Sequence, residues 1–496
     1  MTDQQVEAVE VASSIGQRAG RGLRWALAGN LVMKCGSFAL SLAMVRLLAP
    51  QDYGLYAVAL AANMFLIHVN DMGMIAATVQ WRGKVEDIAA TAATVAIGFS
   101  LAWYALFWVG APVLAEAAGS PDATPLVRLL TLTIVLDGIT AVSVGVIQRR
   151  FQQDKLVKAI AIGFACSAVT CLTLAIAGAG PYSFVCGALV QSVVVALQVL
   201  RIARLPLRLG FDRAIARRLL AFGLPLAAGL GVESAVLYSD SVIVGHTLGT
   251  VVLGFYLLAF NVSSWVPGLV GAAVRYVSIP AFSRLAEGED ADFALGVQRA
   301  LPLLVSFVTP VAVVMATLSP ALIDVLYGAH WEPAASALQF LAFVMVARMI
   351  TGLVFDIQAG LGNTRVTIVL NLVWLVTLLP ALWIGAHADG IRGAALGHAV
   401  VALVVAIPLA GWFLHRAGVH MGPVVRKVVR PVAAGVVAGL VMTTLARPID
   451  SPLMELVVAG GLGMVVYLLL AVTAAGRAGV RRSAASVIAG RRQAPA

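Results

Sequence analysis

Among the ionisable side chains that interrupt the apolar runs of this sequence are Lys34, Asp71, Asp137, Glu233, Asp240, Arg275, Arg348 and Asp356. A charge near the centre of a bilayer costs about 2.5–3.5 kcal/mol on insertion scales, so each marks a candidate site. Such residues do one of three things. They pair with one another, hold an ion, or line a polar passage.

Asn30, Lys34, Ser37 and Ser41 are spaced four, three and four apart, which places them on one helical face. Lys34 lies nine residues past Trp25, about 14 Å along a helix. Asp71 lies nine residues before Gln80 on the next run, so the two reach the same depth and are expected to pair or to share a ligand. Glu233 and Asp240, seven apart, share a face, and Glu233 and Arg348 fall at similar depth. Arg275 follows a stretch bounded by Pro267 and Pro280.

Soluble catalysis has little support. The seven histidines, His68, His246, His330, His387, His398, His415 and His420, show no paired metal spacing. No phosphate-binding loop motif is present, so ATP is not expected as the direct energy source. Cys35, Cys166, Cys171 and Cys186 lie in or beside apolar runs and are expected to act as small core residues.

The elements that position these residues follow from composition. The chain has 496 residues, 60% hydrophobic and 12% charged, with a mean hydropathy of +0.94. A soluble surface needs roughly 25% charge. Apolar runs of membrane-spanning length predict an all-α integral membrane protein with about 14 transmembrane helices, because a lone span in lipid must satisfy its own backbone. The expected spans are 25–48, 53–80, 88–116, 124–147, 157–178, 182–200, 219–245, 251–282, 300–327, 334–360, 366–386, 391–414, 427–446 and 453–475. Residues 1–24 read as a cytoplasmic tail rather than a cleavable signal, and 477–496 as a basic cytoplasmic tail.

Charge tests the count. With the N-terminus inside, 27 of the 34 Lys and Arg fall in cytoplasmic segments, and only Arg46, Arg392 and Arg447 fall outside. The net charge of +10 therefore reads as orientation and headgroup contact, and no nucleic-acid partner is expected. The loops are too short to hold a catalytic domain.

The stretch LLAPQDYGLYAVALA at 47–61 has a weaker echo, LGTVVLGFYLLAF, at 248–260. At an offset of 200, Leu48 meets Leu248, Gly54 meets Gly254, Tyr56 meets Tyr256 and Ala59 meets Ala259. At 210, Ile147-Gln148 meets Ile357-Gln358. Six spans separate the copies, so they share an orientation about an axis along the membrane normal. The predicted layout is an N-lobe at 25–218, a C-lobe at 219–420, and an added helix pair at 421–476. Pro50 and Asp52 are expected to make a tight turn and cap, and Tyr53 and Tyr56 to sit at headgroup depth. Prolines 302, 310 and 320, with 267 and 280, are expected to kink their helices.

The stretch at 47–61 and NDMGMIAATVQ at 70–80 resemble the opening of Wzx-type polysaccharide flippases, in the superfamily of lipid II flippases and multidrug and toxin extruders. The resemblance continues through YSDSVIVGHTLGTVVLGFYLLA (238–259), VSIPAFSRLAEGED (277–290), LYGAHWEPAASALQFLAF (326–343) and GLGNTR (360–365). It implies a flippase, not an enzyme, moving an oligosaccharide on an undecaprenyl diphosphate carrier across a bacterial plasma membrane by alternating access. The implied partners are that lipid-linked oligosaccharide, membrane lipids, and a polysaccharide polymerase and glycosyltransferases. In this reading Lys34, Arg275, Arg348 and Asn30 line the substrate cavity. Asp71, Asp137, Glu233 and Asp240 bind a coupling proton or sodium ion or gate the passage, with no metal or organic cofactor. Two alternatives stay open: an ion-coupled multidrug exporter of the same fold, which an acid-rich interior would favour, and a membrane glycan polymerase or ligase.

Overall fold

The computed structural model describes residues 32–70, 74–75, 78, 81, 85–150, 152–205, 208–271, 274–275, 278, 282, 290–361, 363 and 365–471. Every regular element among them is helical. The helices are α1 (32–47), α2 (Pro50–Asn70), α3 (Glu86–Ala117), α4 (Pro121–Arg149), α5 (Gln153–Ile176), α6 (Tyr182–Ala203), α7 (Arg213–Leu248) and α8 (Thr250–Ser263). After them come α9 (Asp290–Thr317), α10 (Ser319–Tyr327), α11 (Pro333–Gly360), α12 (Arg365–Arg416), α13 (Met421–Ala446) and α14 (Pro452–Ala471). Among the described residues nine runs are long and apolar enough to cross a membrane. Large apolar side chains lie exposed on them, with Val109 at 76%, Ile176 at 73% and Leu303 at 72% of full accessibility. Lipid is the solvent such surfaces need.

By backbone contacts the chain forms two compact units, residues 1–273 with 364–401, and residues 274–363 with 402–496.

In the first unit, α1 ends at residue 47 and Pro50 starts α2, where a missing N–H costs nothing. Asp52 accepts the Ala49 N–H at 3.0 Å, so the expected turn and acidic cap are present. Tyr53 is buried edge-on to Phe184 at 5.1 Å, and Tyr56 stacks on the same ring at 4.4 Å, so both rings pack against protein.

The two copies of the sequence echo touch. A Cβ on Gly54 would lie 1.8 Å from the Thr250 carbonyl oxygen, and one on Gly254 would lie 1.9 Å from that of Pro50. The contact is reciprocal, since each glycine admits the start of the other's helix. Asn70 Nδ2 donates to Ile134 O at 3.0 Å, and Thr133 Oγ1 donates to Asn63 Oδ1 at 3.1 Å, joining α2 to α4. Asp212 caps α7 by accepting the N–H groups of Ala214 and Ile215. α12 is broken at Asp389 and Gly390 (φ 53°), and its arms double back. A Cβ on Gly385 would sit 2.2 Å from Gly393 O, so this run is a tight helical hairpin, as the separate spans 366–386 and 391–414 require.

In the second unit, Pro302 and Pro310 lie inside α9, whereas Pro320 opens α10 after non-helical Leu318. Pro267, in the first unit, opens a π-helical turn over Pro267–Gly271, and Pro280 lies outside the described residues. α13 and α14 pack on α9. Gly435 faces the Thr309 methyl, and buried Tyr467 donates to Ser306 O at 2.7 Å. All four cysteines are free. Cys171 is buried against Gly187 and behaves as a small core residue, but Cys35 is exposed and does not.

Candidate functional site

Asp240 lies on α7, two and a half turns short of the Gly249 break, and is 2% exposed. Its Oδ2 accepts the Tyr256 hydroxyl at 2.6 Å and lies 2.8 Å from His398 Nδ1. Tyr256 is on α8 and His398 is on the second arm of α12, so three elements of one unit converge on a single carboxylate oxygen. His398 is 2% exposed, and Trp374 from the first arm meets it edge-on at 6.2 Å. Among the described residues nothing hydrogen-bonds Asp240 Oδ1 or His398 Nε2.

A carboxylate in a dry interior is costly unless partners meet it, and here the Tyr256 hydroxyl and His398 Nδ1 tie three helices to one Asp240 oxygen.

The second cluster is in the other unit. Arg275 Nε lies 3.5 Å from Asp356 Oδ1, and the Ser278 hydroxyl donates to Asp356 Oδ2. Asp356 is 6% exposed and Arg275 60%, so the acid is held inside while the guanidinium presents its remaining donors outward.

The other expected residues are more dispersed. Lys34 is exposed on α1 and reaches over the π-turn at Gly268, where a Cβ would meet its Nζ at 3.3 Å. Phe38 packs edge-on against Trp265 at 4.5 Å and holds α1 beside that turn. Asn30 and Asp71 lie outside the described residues, as does any pairing of Lys34 with Asp71. Glu233 is half-buried on α7, two turns before Asp240. Arg348 is half-buried on α11, and Asp137 is exposed on α4.

His398 and Tyr256 are the partners of Asp240 that the sequence reading missed. His398 was visible as an ionisable group inside a span, but testing histidines only for metal spacing passed over it. Tyr256 was visible in the echo at 248–260, whose partner Tyr56 makes ring contacts instead. Ser278 has no signal in the sequence beyond its three-residue spacing from Arg275.

Residues 43–336 match the model of a family described as "Polysaccharide biosynthesis protein". The chain belongs to that family. It is 26% identical over 474 residues to the succinoglycan biosynthesis transport protein ExoT of Rhizobium meliloti (strain 1021), covering 89% of this chain and 91% of the relative. It is 21% identical over 401 residues to the lipopolysaccharide biosynthesis protein WzxC of Escherichia coli (strain K12), covering 79% and 80%. Among solved structures, the lipid II flippase MurJ in an inward closed conformation superposes with a TM-score of 0.72 at 14% identity, over 89% of this chain and 97% of that one. An inward-facing multidrug transporter of the MATE family superposes with a TM-score of 0.62 at 15% identity, over 79% and 98%. The fold is thus that of these superposed transporters, one of them of the MOP superfamily, and the chain is a multi-pass membrane protein of the polysaccharide biosynthesis family.

Proposed function

We propose that this transporter flips a lipid-linked oligosaccharide, on an undecaprenyl diphosphate carrier, from the inner to the outer leaflet of a bacterial plasma membrane. In this reading transport is by alternating access, and both chain termini are cytoplasmic. The observation that carries the proposal is the family's polysaccharide-biosynthesis match joined to a flippase-like fold over 89% of the chain. The relatives' names support export of surface glycan precursors.

Lys34 in the first unit and Arg275 in the second each have an exposed cationic head suited to a diphosphate, and Arg348 and Asn30 are the further substrate-binding candidates. The Asp240–His398–Tyr256 cluster carries the coupling proton. Support comes from its burial and from the lack, among the described residues, of a hydrogen-bond partner at Asp240 Oδ1. Asp71, Asp137 and Glu233 act as gating carboxylates.

The test is deletion of the gene followed by analysis of lipid-linked intermediates. The expected result is accumulation of the full-length lipid-linked glycan on the cytoplasmic leaflet. Unchanged surface glycan with increased dye sensitivity would instead assign the chain to drug export.

A further inference from the structure

A cavity of about 440 Å³ opens where α4 ends, α5 begins and α6 ends, lined by Arg150, Gln152, Lys155, Arg201, Ile202 and Arg204. Its volume is within the roughly 300–1,000 Å³ usual for small-ligand sites. Four of the six lining residues are cations and none is a carboxylate. All three helices have membrane-spanning length, so a cavity at their shared end lies at headgroup depth.

Part of this charge has a structural purpose. Arg150 Nη1 donates to Ala203 O at 2.9 Å, and Arg201 sits in the last turn of α6, where the helix dipole favours a cation. Arg204 is the C-cap of α6, at the same favourable end of that dipole, whereas Lys155 has no such reason. Lys155 is in the first turn of α5, at the end of the dipole that repels it. Arg204 holds a left-handed backbone (φ 50°), the only non-glycine to do so among the described residues. A side chain there costs about 1 kcal/mol or more over glycine. Among the described residues no ion pair neutralises any of the four. Like charges gathered around an empty concavity repel, and an anion placed within it reverses the sign of that energy.

We infer that this cavity is a binding site for a phosphate-bearing anion at the membrane surface. Basic pockets between transmembrane helices take anionic headgroups by this chemistry. The two sources are an anionic phospholipid and a soluble phosphate compound, and both present the same oxygens to Arg and Lys. The site does not depend on what the protein transports.

The test uses the full chain in nanodiscs of phosphatidylcholine, with phosphatidylglycerol added in one arm and inorganic diphosphate in the other. Bound lipid is read by native mass spectrometry and anion binding by the shift in melting temperature. The variant is Lys155→Gln with Arg204→Gly. It leaves the Arg150 bond intact and relieves the left-handed arginine, so it is expected to fold. Binding by the native chain that weakens about tenfold or more in the variant supports the site, and the arm in which this happens identifies the source. Equal binding by both chains, or binding in neither arm, overturns it. Should that variant fold poorly, Lys155→Gln alone, with an expected severalfold loss, gives the same decision.

Discussion

Gly54 and Gly254, 200 residues apart in sequence, pack against the starts of each other's helices. Each gives up its side chain so that the other's backbone can approach. Gly54→Ala or Gly254→Ala would put a methyl within 1.8–1.9 Å of a carbonyl oxygen, so helix backbones must separate. Overpacking of this kind costs about 1–3 kcal/mol. The expected outcome is a lower melting temperature for each variant in detergent. Gly98→Ala is the control. Nothing lies within 4 Å of its Cβ, and replacing a helical glycine there should stabilise by up to about 1 kcal/mol. Equal melting of all three would remove the close approach.

How much of this was legible follows from what each residue needs. The hairpin in α12 was readable because Asp389-Gly390 breaks a long apolar run, and two spans were expected there. The Gly54–Gly254 contact was half-readable. Periodicity gave the repeat, but a repeat says only that two places are alike, not that they touch. Tyr53 and Tyr56 were readable as rings beside a turn, but their partner was not, since Phe184 lies 128 residues from Tyr56 in sequence. The Asp240–His398 pair, 158 residues apart, had no local pattern at all. Long-range pairs of single residues leave no periodicity to read.

Lys34 is expected to contact the substrate and not to hold the fold. Lys34→Ala should insert into the membrane at native levels and melt within a few degrees of the native chain, while glycan export falls by about tenfold or more. Lys34→Arg should restore most of the export. Normal export by the alanine variant would take Lys34 out of the site.

Arg275 separates support from function through its exposure. At 60% exposed, its link to Asp356 adds about 1 kcal/mol or less to stability. Arg275→Gln should therefore fold normally and lose export. Asp356→Ala, which strips the partner from both Arg275 and Ser278, should lower the melting temperature as well. A stability loss as large in Arg275→Gln as in Asp356→Ala would make the arginine structural.

Tyr256→Phe removes one of two hydrogen bonds to Asp240 Oδ2 and leaves the ring in place. The buried carboxylate then keeps only His398, so about 1–3 kcal/mol of stability should be lost. Thermal unfolding of the purified protein measures it. No change would mean that the tyrosine bond contributes nothing at Asp240.

The most direct measurement reconstitutes the native chain and Asp240→Asn in proteoliposomes carrying a fluorescent lipid-linked oligosaccharide, and follows its loss from one leaflet with and without a pH gradient. The account predicts that the native chain flips the lipid, that an imposed pH gradient changes the rate severalfold, and that the asparagine variant flips slowly and ignores the gradient. No flipping by the native chain, or equal response to the gradient in both, would contradict it.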